Sequence, residues 1–227
     1  MKYLDDRDIK VAIPLKTNSI RVPNKNLREF ADGKSLFDVK VEQLLGVFPP
    51  EDIYVSSEDL VVEKLCANYG LKFLKRDVSL TPNSAPWTDV VHDVVGQIPS
   101  GSDIMWVQVT QPLFKDFSGV LSKWAQVCAE YDSLAVVKKI SHHIVDAKGH
   151  PVNFEFGYWH KVSQDLPSLF EITWACFCMN RQMVDRTGYQ IGRRPFLYES
   201  LSPLVDIDSL VDFEVARTLF KFYDKAL

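Results

Sequence analysis

The chain has 227 residues, 46% of them hydrophobic and 25% charged, which suits one globular α/β domain with at most a small appendage. Its net charge of −4 excludes a general nucleic-acid binder, because no basic surplus exists to neutralise a phosphate backbone. No apolar run approaches the roughly 20 residues of a membrane span, and the opening MKYLDDRDIK is too charged for a signal peptide, so a cytoplasmic location is expected. Cys66, Cys128, Cys176 and Cys178 lack zinc-type spacing, and the expectation is free thiols, with Cys176 and Cys178 packing on one strand face.

Ile9, Val11, Ile13 and Leu15 mark a buried first strand that ends near Pro14. The chain then turns basic and polar. Lys16, Arg21 and Lys25 arrive among Thr17, Asn18, Ser19, Asn24 and Asn26, with Pro23 stiffening the middle. A loop leaving the C-terminal end of a parallel strand lies where open α/β sheets bind ligands. Three cations with small hydrogen-bonding residues suit an anion such as a polyphosphate, and a solvated basic loop is the plain alternative.

Ser35 is placed to cap a helix running to about Val47, which Pro49-Pro50 stops. A second strand follows at Asp52–Ser56, a helix at Asp59–Tyr69 closed by Gly70, and a third strand at Leu71–Leu74. The β-α-β-α-β order predicts a parallel sheet. Arg76, just past the third strand, is exposed by default. Beyond a polar loop at Thr81–Pro86 come a helix at Trp87–Ile98 and a strand at Asp103–Val109. Gln108 is polar near the end of that apolar strand, so burial requires a partner from a ligand or from the neighbouring backbone.

A helix at Gly119–Glu130 and a strand at Ser133–Lys139 continue the alternation, which then breaks. Between His142 and Leu169 a hairpin is expected around Lys148-Gly149-His150-Pro151, with Phe154, Phe156 and Tyr158 alternating at strand period and Trp159 on the other face. An aromatic stripe outside the main sheet needs cover, and a second subunit supplies it. Glu171–Met179 reads as a returning strand, Val184–Arg194 as a mixed segment, and Leu210–Tyr223 as the last helix. The Arg193-Arg194 pair faces solvent or contacts an anion.

Leu204-Val205-Asp206-Ile207-Asp208-Ser209 is the second chemical feature. In an extended chain Asp206 and Asp208 share a face about 6–7 Å apart, and such carboxylates repel unless a cation lies near. Mg²⁺ suits one or two carboxylates plus phosphate oxygens, so the pair is a candidate metal site. The alternative is that Asp208 or Ser209 only caps the last helix.

Pro14-Leu15-Lys16-Thr17-Asn18-Ser19-Ile20-Arg21-Val22-Pro23-Asn24-Lys25-Asn26-Leu27 resembles the P-A-R-x-x-S-K-R-I/L-P-x-K-N-L opening of the acylneuraminate cytidylyltransferases (CMP-sialic acid synthetases), relatives of the CMP-Kdo synthetases. Ser56-Ser57-Glu58 falls where relatives carry S-T-D, and Lys75-Arg76-Asp77 with Leu80 where they carry R-P-x-x-L. Gln108, Thr110, Pro112 and Leu113 keep the frame of L-Q-P-T-S-P-L-R, and Asp206-Ile207-Asp208-Ser209-Leu210-Val211-Asp212 resembles the closing D-I-D-T-x-x-D-L.

The resemblance implies a three-layer, Rossmann-like nucleotidyltransferase sheet with an extended dimerisation hairpin. Residues 1–140 would form the nucleotide-binding part, 141–170 the dimerisation and sugar-site arm, and 171–227 the return strand, the DxD and the last helix. It further implies a homodimer that activates an acidic sugar with CTP and Mg²⁺, giving a CMP-sugar and pyrophosphate. Lys16, Asn18, Ser19, Arg21, Lys25, Asn26 and Arg76 would bind the nucleotide, Arg76 on the cytosine. Gln108, Thr110 and Glu171 would meet the sugar, Asp206 and Asp208 the metal, and Lys25, Asp206 and Asp208 would carry catalysis.

Five positions depart from the pattern: Lys16 for arginine, Ile20 for lysine, Phe114 for arginine, Glu171 for arginine and Trp174 for glycine. The last two fall where the sugar would lie, which argues against ordinary N-acetylneuraminate. A non-catalytic nucleotide-binding relative and a nucleotidyltransferase with another acceptor are the rival expectations. The molybdopterin nucleotidyltransferases open on L-A-G-G-x-S-x-R-x-G, whereas no glycine stands between Lys10 and Phe30 here.

Overall fold

Val11 and Ile13 of the first strand, β1 (Ile9–Pro14), lie in one buried apolar cluster and Ala12 in another, so β1 is covered on both faces. The computed structural model describes residues 8–19 and 21–225, and both Ile20 and the charged N-terminal segment 1–7 lie outside the described residues. After β1 come a small antiparallel hairpin, β2 (Glu29–Ala31) with β3 (Lys34–Ser35), and helix α1 (Leu36–Leu45). Ser35 starts α1 with a capping box: its hydroxyl accepts from the Asp38 N–H at 3.2 Å, and the Asp38 carboxylate accepts from the Ser35 N–H at 2.8 Å. Strand β4 (Ile53–Ser57), helix α2 (Leu60–Tyr69) and strand β5 (Lys72–Lys75) follow. Gly70 ends α2 with φ +72°, a left-handed turn that glycine adopts without strain.

The chain continues through α3 (Trp87–Gly96), β6 (Asp103–Val107), α4 (Phe117–Val127) and β7 (Ser133–Ile140). It closes with β8 (Leu169–Met179), α5 (Arg181–Thr187), β9 (Pro195–Glu199) and α6 (Leu210–Lys225). The main sheet has seven strands in the order β5-β4-β1-β6-β8-β7-β9. β8 runs antiparallel to both its neighbours, and the other pairings are parallel. Buried residues of α1, α2, α4 and α6 pack on one face, those of α3 and α5 on the other, which makes three layers. Cys176 and Cys178 are free, buried thiols on the first face.

β4 and β6 flank β1, so the chain winds one way from β1 through β4 to β5 and then crosses to β6 on the other side. The loops after β1 and β6 therefore part at a topological switch point, where a crevice opens beyond the strand ends. That crevice positions the site.

The arm and the last edge strand differ from the sequence expectation. Phe154, Phe156 and Tyr158 do not alternate along a strand: between β7 and β8 the ladder is reduced to one bridge, Val145 with Pro151. Asn153 is the local reason. Its amide accepts from the Ile144 N–H and donates to the His142 carbonyl, both at 2.8 Å, and so satisfies backbone that a ladder would otherwise pair. Gly157, at φ +82°, then turns the chain into a 3-10 turn over Gly157–Trp159. β9 lies in a stretch whose pattern marks no element. It is a sheet edge and begins on a proline, as edge strands tolerate.

Candidate nucleotide site

The basic loop is built into the fold. Val22 is fully buried, Asn26 is 8% exposed, and turns closed on Val22 and Asn24 wind the segment tightly. Asn24 takes φ +52°, a left-handed conformation that asparagine tolerates. The Asn26 side-chain N–H₂ donates to the Lys16 carbonyl at 2.9 Å, tying the end of the loop to its start. This decides against a merely solvated basic loop.

A cleft of about 440 Å³ opens above the loop, and Lys16, Asn18, Ser19, Arg21, Lys25 and Asn26 all line it. Lys16 reaches across to Asn83, donating to its Oδ1 at 2.8 Å. The far wall comes from Leu80 to Asn83 and from Ala85, Trp87 and Val90. Two buried oxygens in this lining, Asn26 Oδ1 and Thr81 Oγ1, have no hydrogen-bond partner among the described residues. Orphaned polar atoms in a cleft wall are what a polar ligand would satisfy.

Arg76 also lines the cleft but is not an exposed arginine: it is only 4% exposed. Its guanidinium donates to the Ser56 carbonyl at 2.6 Å and the Leu15 carbonyl at 3.2 Å, and through Nε to Ser56 Oγ at 3.2 Å. It thus closes the ends of β1 and β4 together. Burial lowers its pKa, with Glu58 and Asp93 opposing that shift.

The acidic segment meets the loop from the other side. Residues 201–208 form no regular strand, but Ile207 is fully buried while Asp206 and Asp208 are exposed, so an extended chain turns both carboxylates away from the core. The Ile207 N–H donates to the Thr110 carbonyl at 3.1 Å, and the Lys25 ammonium donates to the Ile207 carbonyl. Arg21 pairs with Asp208 at 2.7 Å, and Lys25 lies 3.8 Å from the same carboxylate. Although Asp206 is exposed as a residue, partial desolvation of its carboxyl where the segment meets the loop raises it above its ordinary value, and the Asp208 charge adds to it, against Thr110 and Lys25. Burial lowers the Lys25 ammonium, and Asp208 and Asp206 resist that shift. Ser209 does cap α6, its hydroxyl accepting from the Asp212 N–H at 3.2 Å, so the segment both starts a helix and presents carboxylates.

Gln108 and Thr110 line the cleft as well. Glu171 does not: it is exposed on β8, in register with Lys138 of β7. Phe114 is fully buried in the core, and Lys115, its neighbour, lines a separate groove beside α1 and α6. Asn83, Thr81 and Trp87 are lining residues that sequence reasoning passed over. The only signal was the polar, proline-bearing loop around them.

Trp174 is the outlier beside the site. It takes φ +58°, and a bulky side chain there is strained by roughly 1–3 kcal/mol. It falls in a β8 bulge, because Ala135 of β7 faces Phe177 while Val137 faces Ile172.

The model of a family described as "Cytidylyltransferase" matches residues 11–154, which carry most of β1, the elements from β2 through β7, the basic loop and Arg76. The chain belongs to the cytidylyltransferase family. An N-acylneuraminate cytidylyltransferase of Streptococcus agalactiae is 23% identical over 213 residues, covering 88% of this chain and 50% of that protein. This family member thus spans about half the length of the curated relatives it matches. Among solved structures, a CMP:2-keto-3-deoxy-manno-octonic acid synthetase complexed with CTP superposes with a TM-score of 0.65 at 16% identity, over 95% of this chain and 99% of that one. A 4-diphosphocytidyl-2C-methyl-D-erythritol synthase from Anaerococcus prevotii also reaches 0.65, at 8% identity, over 96% and 100% of the two chains. These likenesses establish the three-layer nucleotidyltransferase fold.

Proposed function

We propose that the chain is a nucleotidyltransferase that activates an acidic sugar with CTP, forming a CMP-sugar and pyrophosphate. The reading is carried by one observation: the basic loop and the acidic segment close on each other at the switch point, through Arg21 with Asp208 and Lys25 with Ile207. Nucleotidyl transfer needs a cation cradle for a triphosphate and an acidic clamp beside it.

In this reading Lys16, Arg21 and Lys25 cradle the phosphates, with Asn18, Ser19 and Asn26 adding hydrogen bonds. Arg76 stands at the β4–β5 end of the cleft, on the cytosine side. The anomeric hydroxyl oxygen of the acceptor attacks the α-phosphorus, the bond to pyrophosphate breaks, and the hydroxyl proton is lost. Asp206, in the acidic segment that faces the loop, would take that proton.

Asp206 and Asp208 would hold Mg²⁺. Two adjacent carboxylates fit an ion that takes the rest of its shell from phosphate oxygens and water, and no cluster of three or more metal-ligating residues occurs among the described residues. When bound, Mg²⁺ screens the charge that the attacking oxygen meets. Arg21 must then release Asp208 or share it.

The acceptor is read as an acid of the sialic or Kdo type, and Gln108 and Thr110 border its end of the cleft. The arm between β7 and β8 leaves Phe156, Tyr158 and Trp159 exposed at 64%, 91% and 69%. A second copy covering these rings makes a homodimer the proposed assembly. No helix among the described residues is long and apolar enough to cross a membrane.

Calorimetric titration with CTP, with ATP, GTP and UTP in parallel, tests the nucleotide half of this reading. Selective binding of CTP supports it, and equal binding of all four or none contradicts it.

A further inference from the structure

The bulge in β8 lies behind Trp87, which lines the cleft. β8 pairs with β6 as far as Cys176 opposite Val107, and beyond that point its carbonyls accept from Gln108, which lines the cleft, and from the buried Gln111 behind it. The Gln108 N–H donates to the Ala175 carbonyl at 3.3 Å, and the Gln111 side-chain amide donates to the Thr173 carbonyl at 2.6 Å. The Thr173 hydroxyl donates to the Val136 carbonyl at 2.8 Å, fixing the bulge on its other side. Trp174, between these anchors, has no freedom to leave its left-handed conformation without breaking them.

The Trp174 indole packs edge-on against Phe177 at 5.5 Å and against Trp87 at 6.4 Å. Trp87 in turn packs on Trp106 at 5.8 Å and lines the cleft. Its Nε1–H is already given to Gln190 Oε1 at 2.9 Å, so the wall it shows the cleft is ring carbon. The sheet order β5-β4-β1-β6-β8 puts Arg76 at one end of the crevice and the Trp174 bulge at the other. With the base at the Arg76 end, the aromatic wall bounds the acceptor.

We propose that Trp174 is a positioning residue that braces Trp87 into the cleft and restricts the acceptor to a compact 2-keto-3-deoxy acid that carries no N-acyl group and only a short polyol tail. The inference rests on the proposed cytidylyl transfer for its choice of ligand. An aromatic wall stacks well on the apolar face of a sugar ring. An N-acyl amide or a long polyol tail laid against it loses water and gains no hydrogen-bond partner. Glycine at position 174 would take the same backbone conformation without strain and leave room behind Trp87 for such a group.

The test is equilibrium binding, so it does not depend on turnover. 2-Keto-3-deoxy-manno-octonic acid and N-acetylneuraminate are titrated, with CMP present, into the wild type, Trp174→Gly and Trp174→Phe, and CTP affinity is measured separately. The expected result is at least tenfold preference of the wild type for the octonic acid, falling below threefold in Trp174→Gly and staying above fivefold in Trp174→Phe. CTP affinity stays within twofold throughout. If Trp174→Gly does not fold, Trp87→Ala must narrow the preference in the same way. A preference unchanged in Trp174→Gly, an equal loss of both acids, a wild-type preference for N-acetylneuraminate, or no binding of either acid overturns the proposal. Failure of the wild type to bind CTP overturns the functional reading instead, and the acid ratio still judges Trp174.

Discussion

Arg21 Nη2 and Asp208 Oδ1 lie 2.7 Å apart although 187 residues separate them along the chain. Both side chains are largely exposed, and an exposed pair of this kind contributes only about 0–1 kcal/mol to stability. The contact marks where two chemistries converge more than it holds the fold. Asp208→Asn should therefore leave Tm within about 3 °C of wild type. Pyrophosphate release should fall by about 100-fold or more, the usual scale for losing one preorganised charge at a reacting phosphate. Parallel melting and initial-rate measurements check both halves.

Arg76 behaves in the opposite way. Because it fills buried carbonyls at Leu15 and Ser56, Arg76→Ala should destabilise the protein by about 1–3 kcal/mol as well as weaken CTP binding. Arg76→Lys keeps the charge without the planar fork, so it should regain some stability but little nucleotide affinity. Urea unfolding and CTP calorimetry separate the two effects.

Lys40 supplies a pH dependence remote from the cleft. Its ammonium is fully buried, donating to Gln43 Oε1 at 2.7 Å and to the carbonyls of Gln111 and Phe114 at 2.9 and 2.7 Å. Burial takes its pKa down from 10.5 to about 7. Above pH 7 the native state has released a proton that the unfolded state keeps until about 10.5. Lys40 therefore adds stability as pH rises through this window, and its penalty is greatest below pH 7. The slope is at most about 1.4 kcal/mol per pH unit. Urea unfolding at pH 6 to 9 should show this rise in the wild type and lose it in Lys40→Met.

The arm between β7 and β8 predicts the assembly. Serine at Phe156, Tyr158 and Trp159 together should shift the sedimenting species from dimer to monomer. A monomeric wild type would show that the exposed rings have another role.

Chelation tests the metal reading. Removing Mg²⁺ with EDTA should stop pyrophosphate release while leaving Tm of the nucleotide-free protein unchanged, since Asp206 and Asp208 carry no structural ion in this account.

Much of the sheet was legible because buried strands and amphipathic helices leave local periodicities: the alternation of Val11, Ile13 and Leu15 around β1 and the Ser35 and Gly70 caps needed no long-range information. The basic loop and the DxD stood out by their local residue types, and the structure brings the two segments together through Arg21 and Asp208. What escaped depends on contacts distant in sequence. Arg76 is buried only because the ends of β1 and β4 present carbonyls to it, and composition at position 76 says nothing of that. The arm lost its expected strands to Asn153, whose amide replaces the ladder. Trp87 lines the cleft and packs on a bulge 87 residues further along, a contact that the polar, proline-bearing loop around Trp87 does not reveal. Glu171, placed near the sugar by resemblance, stands outside the cleft lining because β8 pairs it with Lys138 on β7.

The most direct test of the account is pyrophosphate release with Mg²⁺, CTP and a panel of nonulosonic and 3-deoxy acids, with ATP, GTP and UTP as controls. The account predicts release that requires CTP and one such acid and that collapses in Asp206→Asn and Asp208→Asn. Silence across the panel from a protein that still binds CTP would contradict transfer to an acidic sugar, in favour of another acceptor or a non-catalytic nucleotide-binding role. Silence without CTP binding would contradict the nucleotide site itself.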